Sequence, residues 1–227
     1  MRIKLIYLVS IILIFYYCKN SFFSGKVEEG TIEYDIVYLD DSKSNPLISL
    51  LPTEMTLKFK NNNYITKIEG WMGIFSMAGI YNVTKKTNSA ILKIMNEKYH
   101  YETSLEGPSF GFDSLPPFKI EQTTETKVIA NYKCKKAIVK FENNSVWKDF
   151  EIFYTDDIGL ENPNKNNPFS EIKGVILDYR MAFQKIKMSL VAKKVEGVEV
   201  LDEEFDIPAG YSKVPKEKME EVISNLM

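Results

Sequence analysis

"TEMTLKFKNNNYITKIEG", Thr53–Gly70, contains two short runs around a triple asparagine. In the first run Met55, Leu57 and Phe59 alternate with Glu54, Thr56, Lys58 and Lys60. That period of two is the mark of a strand with one dry and one wet face. Asn61–Asn63 lie between the runs, and asparagine tolerates the left-handed conformation that a tight turn demands. The stretch therefore predicts a β-hairpin that must bury one face against something else.

The same alternation occurs upstream in "TIEYDIVYL", where Ile32, Tyr34, Ile36 and Tyr38 interleave with Thr31, Glu33, Asp35 and Val37. Downstream, "GIFSMAGIYNV", "SAILKIMN", "EKYHYET", "TKVIANY", "CKKAIVKF", "VWKDFEIFYT", "GVILDYRMAF" and "KIKMSLVAKKVE" are further strand candidates. Turn-rich pieces such as "EGPSFGFDSLPP" and "DDIGLENPNKNNP" separate them. About ten short strands with few helical interludes predict a large antiparallel sheet, curled or closed to protect its edges. Two helices are expected. "NPLISLLP" links the first two strands, and "PKEKMEEVISNLM" ends the chain with Met219, Val222, Ile223 and Leu226 at helical spacing. Pro215 suits the first turn of the latter.

The chain opens on "MRIKLIYLVSIILIFYYCKN". Arg2 and Lys4 precede an apolar run, Leu5 to Tyr17, broken only by Ser10, which is the layout of an export signal. Thirteen residues are too few to cross a hydrocarbon layer that takes about 20. The run ends at Cys18 and resembles a bacterial lipoprotein signal, in which the cysteine is acylated and becomes residue one of the mature chain. The bulky Tyr16 and Tyr17 stand where such signals carry small residues. An uncleaved anchor with a free thiol is the alternative, and a Cys18–Cys134 disulfide would compete with acylation. The expected layout is a signal over 1–17, a tether over 18–29 and a single β-rich domain over 30–227. Acylated or not, the chain is expected to be tethered in the cell envelope and to face the periplasm, at the outer rather than the inner membrane.

With 227 residues, 44% of them hydrophobic, the chain can bury one sizeable core. Lys and Arg (29) nearly balance Asp and Glu (31), so no basic field exists to gather nucleic acid.

Chemistry-bearing patterns are sparse. His100 is the one histidine, which excludes a multi-histidine metal site. Gly73, Ser76 and Gly79 lack the spacing of a nucleophile elbow, and no phosphate-cradling glycine loop is present. Asp40–Asp41 and Asp156–Asp157 sit beside turns and read as solvated acids. No cofactor, metal or catalytic residue is expected. The most unusual segment is "WMGIFSMAGI", Trp71–Ile80, uncharged over its whole length. It reads either as core or as the lining of a hydrophobic cavity. In the second case Trp71, Met72, Ile74, Phe75, Met77 and Ile80 would touch the ligand, the methionines supplying adaptable contacts.

"TKVIANYKCKKAIVKF", "FEIFYTDDIGLENPNKNNPFSEIKGVILDY" and "FDIPAGYSKVP" together resemble a family of uncharacterised Bacteroidota-type envelope proteins. Asn131 stands where that family has glycine, and Val175 where proline is frequent. The resemblance implies a fold similar to the lipoprotein carriers LolA and LolB: a strongly curved, unclosed antiparallel half-barrel with helices plugging its concave side. It also implies a concave face that holds acyl chains. The leading expectation is thus a non-enzymatic envelope lipoprotein that binds or passes a hydrophobic ligand. The rival is an interaction module with a self-filled core that docks an envelope protein, and a hydrolase is the third reading.

Overall fold

The computed structural model describes residues 26–40, 46–70, 73–142 and 145–225. The expected signal, Cys18, Trp71, Met72 and Leu226 lie outside them. Eleven strands form the body of the sheet: β1 (Glu29–Tyr38), β2 (Glu54–Lys60), β3 (Asn63–Gly70), β4 (Phe75–Asn82), β5 (Thr87–Ile94), β6 (Glu97–Ser104), β7 (Phe118–Ile129), β8 (Tyr132–Phe141), β9 (Phe150–Thr155), β10 (Val175–Phe183) and β11 (Ile186–Glu196). A two-residue β12 (Ser212–Lys213) and a helix α1 (Lys216–Ser224) follow, with 3₁₀ turns at Pro46–Leu50 and Asp202–Phe205. All twelve strands belong to one open, curved sheet in the order β12-β6-β5-β4-β3-β2-β1-β11-β10-β9-β8-β7. Every pairing is antiparallel except the short β12·β6 contact. The large, curled antiparallel sheet expected from the alternation is the observed fold, and it is left open, as the resemblance implies.

Two meanders, β1–β6 and β7–β11, are joined edge to edge by the β1·β11 pairing. Their hairpins use the turn chemistry read from the sequence. Asn61 and Asn62 both have positive φ, as do Ala130–Asn131 and Gln184–Lys185, the two-residue loops whose twist matches that of the flanking strands. Asn131, at φ 69°, thus occupies a position that glycine fills without strain and asparagine tolerates.

Alternation decides what is buried. Ile32, Tyr34 and Ile36 of β1 face inward beside Met55, Leu57 and Phe59 of β2, and register places Ile32 opposite Leu57 and Tyr34 opposite Met55. The inner face of β7–β11 completes the largest core cluster with Ala137, Val139, Phe150, Ile152 and Leu177. Contact with this core begins at Val27, which is buried and bridges to Ile158.

The connection from β6 to β7 sets the curvature. These strands stand near opposite ends of the sheet, ten spacings apart, or about 48 Å if the sheet were flat. Leu105–Pro117 must span that gap, and fully extended it reaches only about the same distance. It is not extended, since it turns at once after β6 with Gly107 N–H donating to Ser104 O. The sheet therefore has to curl beneath it.

The C-terminal segment treats both faces. Val200 and Phe205 cover Ile65, Ala78, Ile80 and Ile91 on the outer face of β3–β5. The chain then rounds the β6 edge as β12, and α1 lays Met219 and Ile223 on the inner face against Met77, Ala90, Leu92 and Ile94. At the other end β7 is an exposed edge, interrupted by a bulge between Gln122 and Thr126 and studded with Lys119, Glu121, Glu125 and Lys127, features that oppose edge-to-edge aggregation.

Candidate functional site: the strapped inner face

The inner face of the half-barrel holds two adjoining cavities of about 80 Å³ and about 70 Å³. Met55, Thr66, Gly79, Phe110, Phe112 and Tyr179 line both. Thr66 and Tyr179 lie on β3 and β10, with β2, β1 and β11 between them in the sheet, so curvature brings them to one void.

The space exists because the sheet's side chains shrink at one row. Register aligns Thr66, Gly79 and Ala90 across β3, β4 and β5, all on the inner face. A glycine inside a strand leaves room for a ligand or another chain to approach. A Cβ built at Gly79 would meet only the Thr66 hydroxyl, at 3.2 Å. Flanking rows are large: Tyr64 and Tyr81 stack at 4.9 Å on one side, and Ile68, Met77 and Leu92 lie on the other.

Over this row runs the strap Leu105–Pro117. It is pinned on both sides of its middle. Ser109 N–H donates to Asn166 O at 2.9 Å; Asp113 N–H donates to Ala182 O at 2.9 Å, and its carboxylate accepts from the amides of Gln184 and Lys185. Between the pins Phe110, Gly111 and Phe112 dip into the mouth, with Gly111 at φ +97° and the Phe110 ring 5.9 Å from that of Phe183. Both phenylalanines remain only half-buried.

The loop Gly159–Gly174, which reads in sequence as a turn-rich spacer, packs inward beside the strap. Its asparagines satisfy backbone that would otherwise be buried unpaired. Asn164 donates to Ile172 O and Gly174 O, and Asn167 accepts from Phe169 N–H. Phe169 is thereby driven into the core, with ring contacts to Phe118, Phe150 and Tyr179.

The residues singled out for ligand contact do not share a surface. Phe75 and Met77 alternate onto the inner face, and Met77 lines the second cavity. Ile80, 2% exposed, points the other way beneath Phe205. Ile74 is in the turn before β4 and is exposed. Trp71 and Met72 lie outside the described residues.

Among the described residues no charged one lines either cavity. Burial raises the phenols of Tyr34, Tyr64 and Tyr179 well above their ordinary range, so they stay neutral donors. Cys134 is fully buried, and burial pushes its thiol up to about 11, the state of an unreactive structural cysteine. His100 lies in β6 with its Nδ1 buried and unpartnered; Asp156 pairs with Lys135, and Asp40 accepts from Lys187 N–H. Among the described residues no group of three His, Cys, Asp or Glu could hold a metal ion.

Fold and site together define an open antiparallel half-barrel whose inner face carries an uncharged, strapped cavity. No protein-family model matches the chain, and no curated protein matches its sequence.

Proposed function

We propose that this protein is a non-enzymatic envelope lipoprotein, acylated at Cys18 and facing the periplasm from the outer membrane, that holds a single acyl-chain-like ligand on its inner face. The observation that carries the reading is the pair of adjoining cavities, both lined by Phe110 and Phe112 of the strap. As it stands the space is far below the 300–1,000 Å³ of a filled ligand site, so the strap occupies the place of the ligand. Magnitudes favour exchange. Withdrawing two half-buried phenylalanines forfeits about 2–3 kcal/mol of burial, whereas eight methylenes of an incoming chain recover about 6 kcal/mol.

The second reading, an interaction module with a self-filled core, draws on Phe169 and Met219 filling the inner face and on the long exposed edge of β7. One variant separates the two. Gly79→Val adds a strand-favouring side chain where the cavity floor is missing, with only the Thr66 hydroxyl to give way. The expected result is an unchanged or higher unfolding free energy, by up to about 1 kcal/mol. An alkane carrying a photoreactive diazirine, added to the full chain in phosphatidylcholine nanodiscs, should label peptides of β4, β10 and β11. Gly79→Val should reduce that label about tenfold. Absent inner-face labelling in the wild type, or equal labelling in the variant, would leave the interaction module as the better account.

A further inference from the structure

The two cavities differ in chemistry, and the difference assigns an orientation. The second is walled by Met55, Met77, Met181 and Met188 with aliphatic and phenylalanine neighbours, and Thr66 and Tyr179 are its only polar residues among those described. The first is rimmed by polar groups, among them Tyr64, Asn88, Ser109, Asn164 and Asn167. Most of those donors are already committed. Tyr34 donates to Ile176 O at 2.9 Å, Tyr64 to Pro163 O at 3.1 Å and Asn88 to Gly107 O at 2.8 Å. Tyr179 is the exception. Its side chain is 8% exposed and lines both cavities, yet among the described residues its hydroxyl makes no hydrogen bond. Its ring is fixed edge-on against Tyr34 and Phe169, at 6.4 Å and 6.0 Å. A hydroxyl on a mostly buried side chain that lines two cavities and bonds no protein group is free to bond what enters them.

Resting on the carrier reading above, we infer that the ligand is a single-chain amphiphile with an uncharged, oxygen-bearing head, such as an acylglycerol. Its tail lies among the four methionines and its head oxygen accepts the hydrogen bond of the Tyr179 hydroxyl at the junction of the cavities. An ionised head is disfavoured because, among the described residues, neither cavity offers a charged one to pair with it, and an unpaired charge is costly to bury. Methionine side chains suit a tail of no fixed shape, being unbranched and polarizable.

The test uses the full chain in phosphatidylcholine nanodiscs and three probes sharing one diazirine-bearing tail: a monoacylglycerol, a fatty acid at pH 9 and the plain alkane. The monoacylglycerol should label peptides of β10 and β11 most strongly, with the ionised fatty acid at least about tenfold weaker. Tyr179→Phe, which removes no protein hydrogen bond, should lower monoacylglycerol labelling about fivefold and leave alkane labelling and the melting temperature unchanged. Equal labelling by fatty acid and monoacylglycerol, or a selectivity untouched by Tyr179→Phe, overturns the inference while alkane labelling keeps the carrier reading. If the alkane labels nothing on the inner face, both fall together.

Discussion

Ile80→Asp is expected to abolish the folded state. Ile80 is 2% exposed, on the outer face of β4, where Ile65 and Ile91 flank it and Val200 and Phe205 close over it. An introduced carboxylate at that covered position would be stripped of water, at a cost of several kcal/mol. A domain of this kind holds about 5–15 kcal/mol in all. The control is Val128→Asp on the exposed edge strand, where 68% exposure lets the charge stay hydrated and the expected change lies within about 0.5 kcal/mol. Chemical denaturation of both variants checks the pair. A folded Ile80→Asp of near-normal stability would show that the 198–207 segment does not cover this face.

Phe169→Ala should lower the unfolding free energy by about 3–5 kcal/mol, the range for a fully buried aromatic whose removal leaves a cavity. The ring is 0% exposed and makes edge or tilted contacts with Phe118, Phe150 and Tyr179, so its loss unpacks β7, β9 and β10 together. Phe169→Leu retains much of the volume and should cost markedly less. Denaturant midpoints at unchanged slope measure both. Equal effects of the two substitutions would mean that the loop, not the ring, is what stabilises this end of the core.

The sheet was legible because its burial is one-sided. Where a strand has a dry and a wet face, as in β1 and β2, the order of residues along the chain records which is which. In β7 the record is short: Phe118 and Ile120 alternate with Lys119 and Glu121, but from Gln122 to Lys127 this edge strand is polar and largely exposed, with nothing apolar to repeat. Phe169 was hidden for a different reason. Its loop is rich in asparagine and proline, and only the pairing of those side-chain amides with backbone N–H and C=O groups turns it inward.

The candidate site was legible in its material and not in its arrangement. "WMGIFSMAGI" is apolar throughout, so composition could not separate Met77, which lines a cavity, from Ile80, which faces the other way. The small-residue row of Thr66, Gly79 and Ala90 appears only once register places three strands side by side. Gly79 inside a strand was the available signal. Tyr179 resembles Tyr34 in sequence; only the hydrogen bond that Tyr34 makes and Tyr179 does not tells them apart.

On the proposed carrier function, the strap and the ligand compete for the same space. Hydrogen exchange read by mass spectrometry, on the full chain in phosphatidylcholine nanodiscs with and without saturating monoacylglycerol, tests it most directly. The amides of Ser109, Asp113, Gln184 and Lys185, which hold the strap, should exchange about tenfold faster with the amphiphile present, while those of β1 and β2 are unchanged. Strap amides that exchange at the same rate in both conditions, or more slowly with the amphiphile, would contradict it.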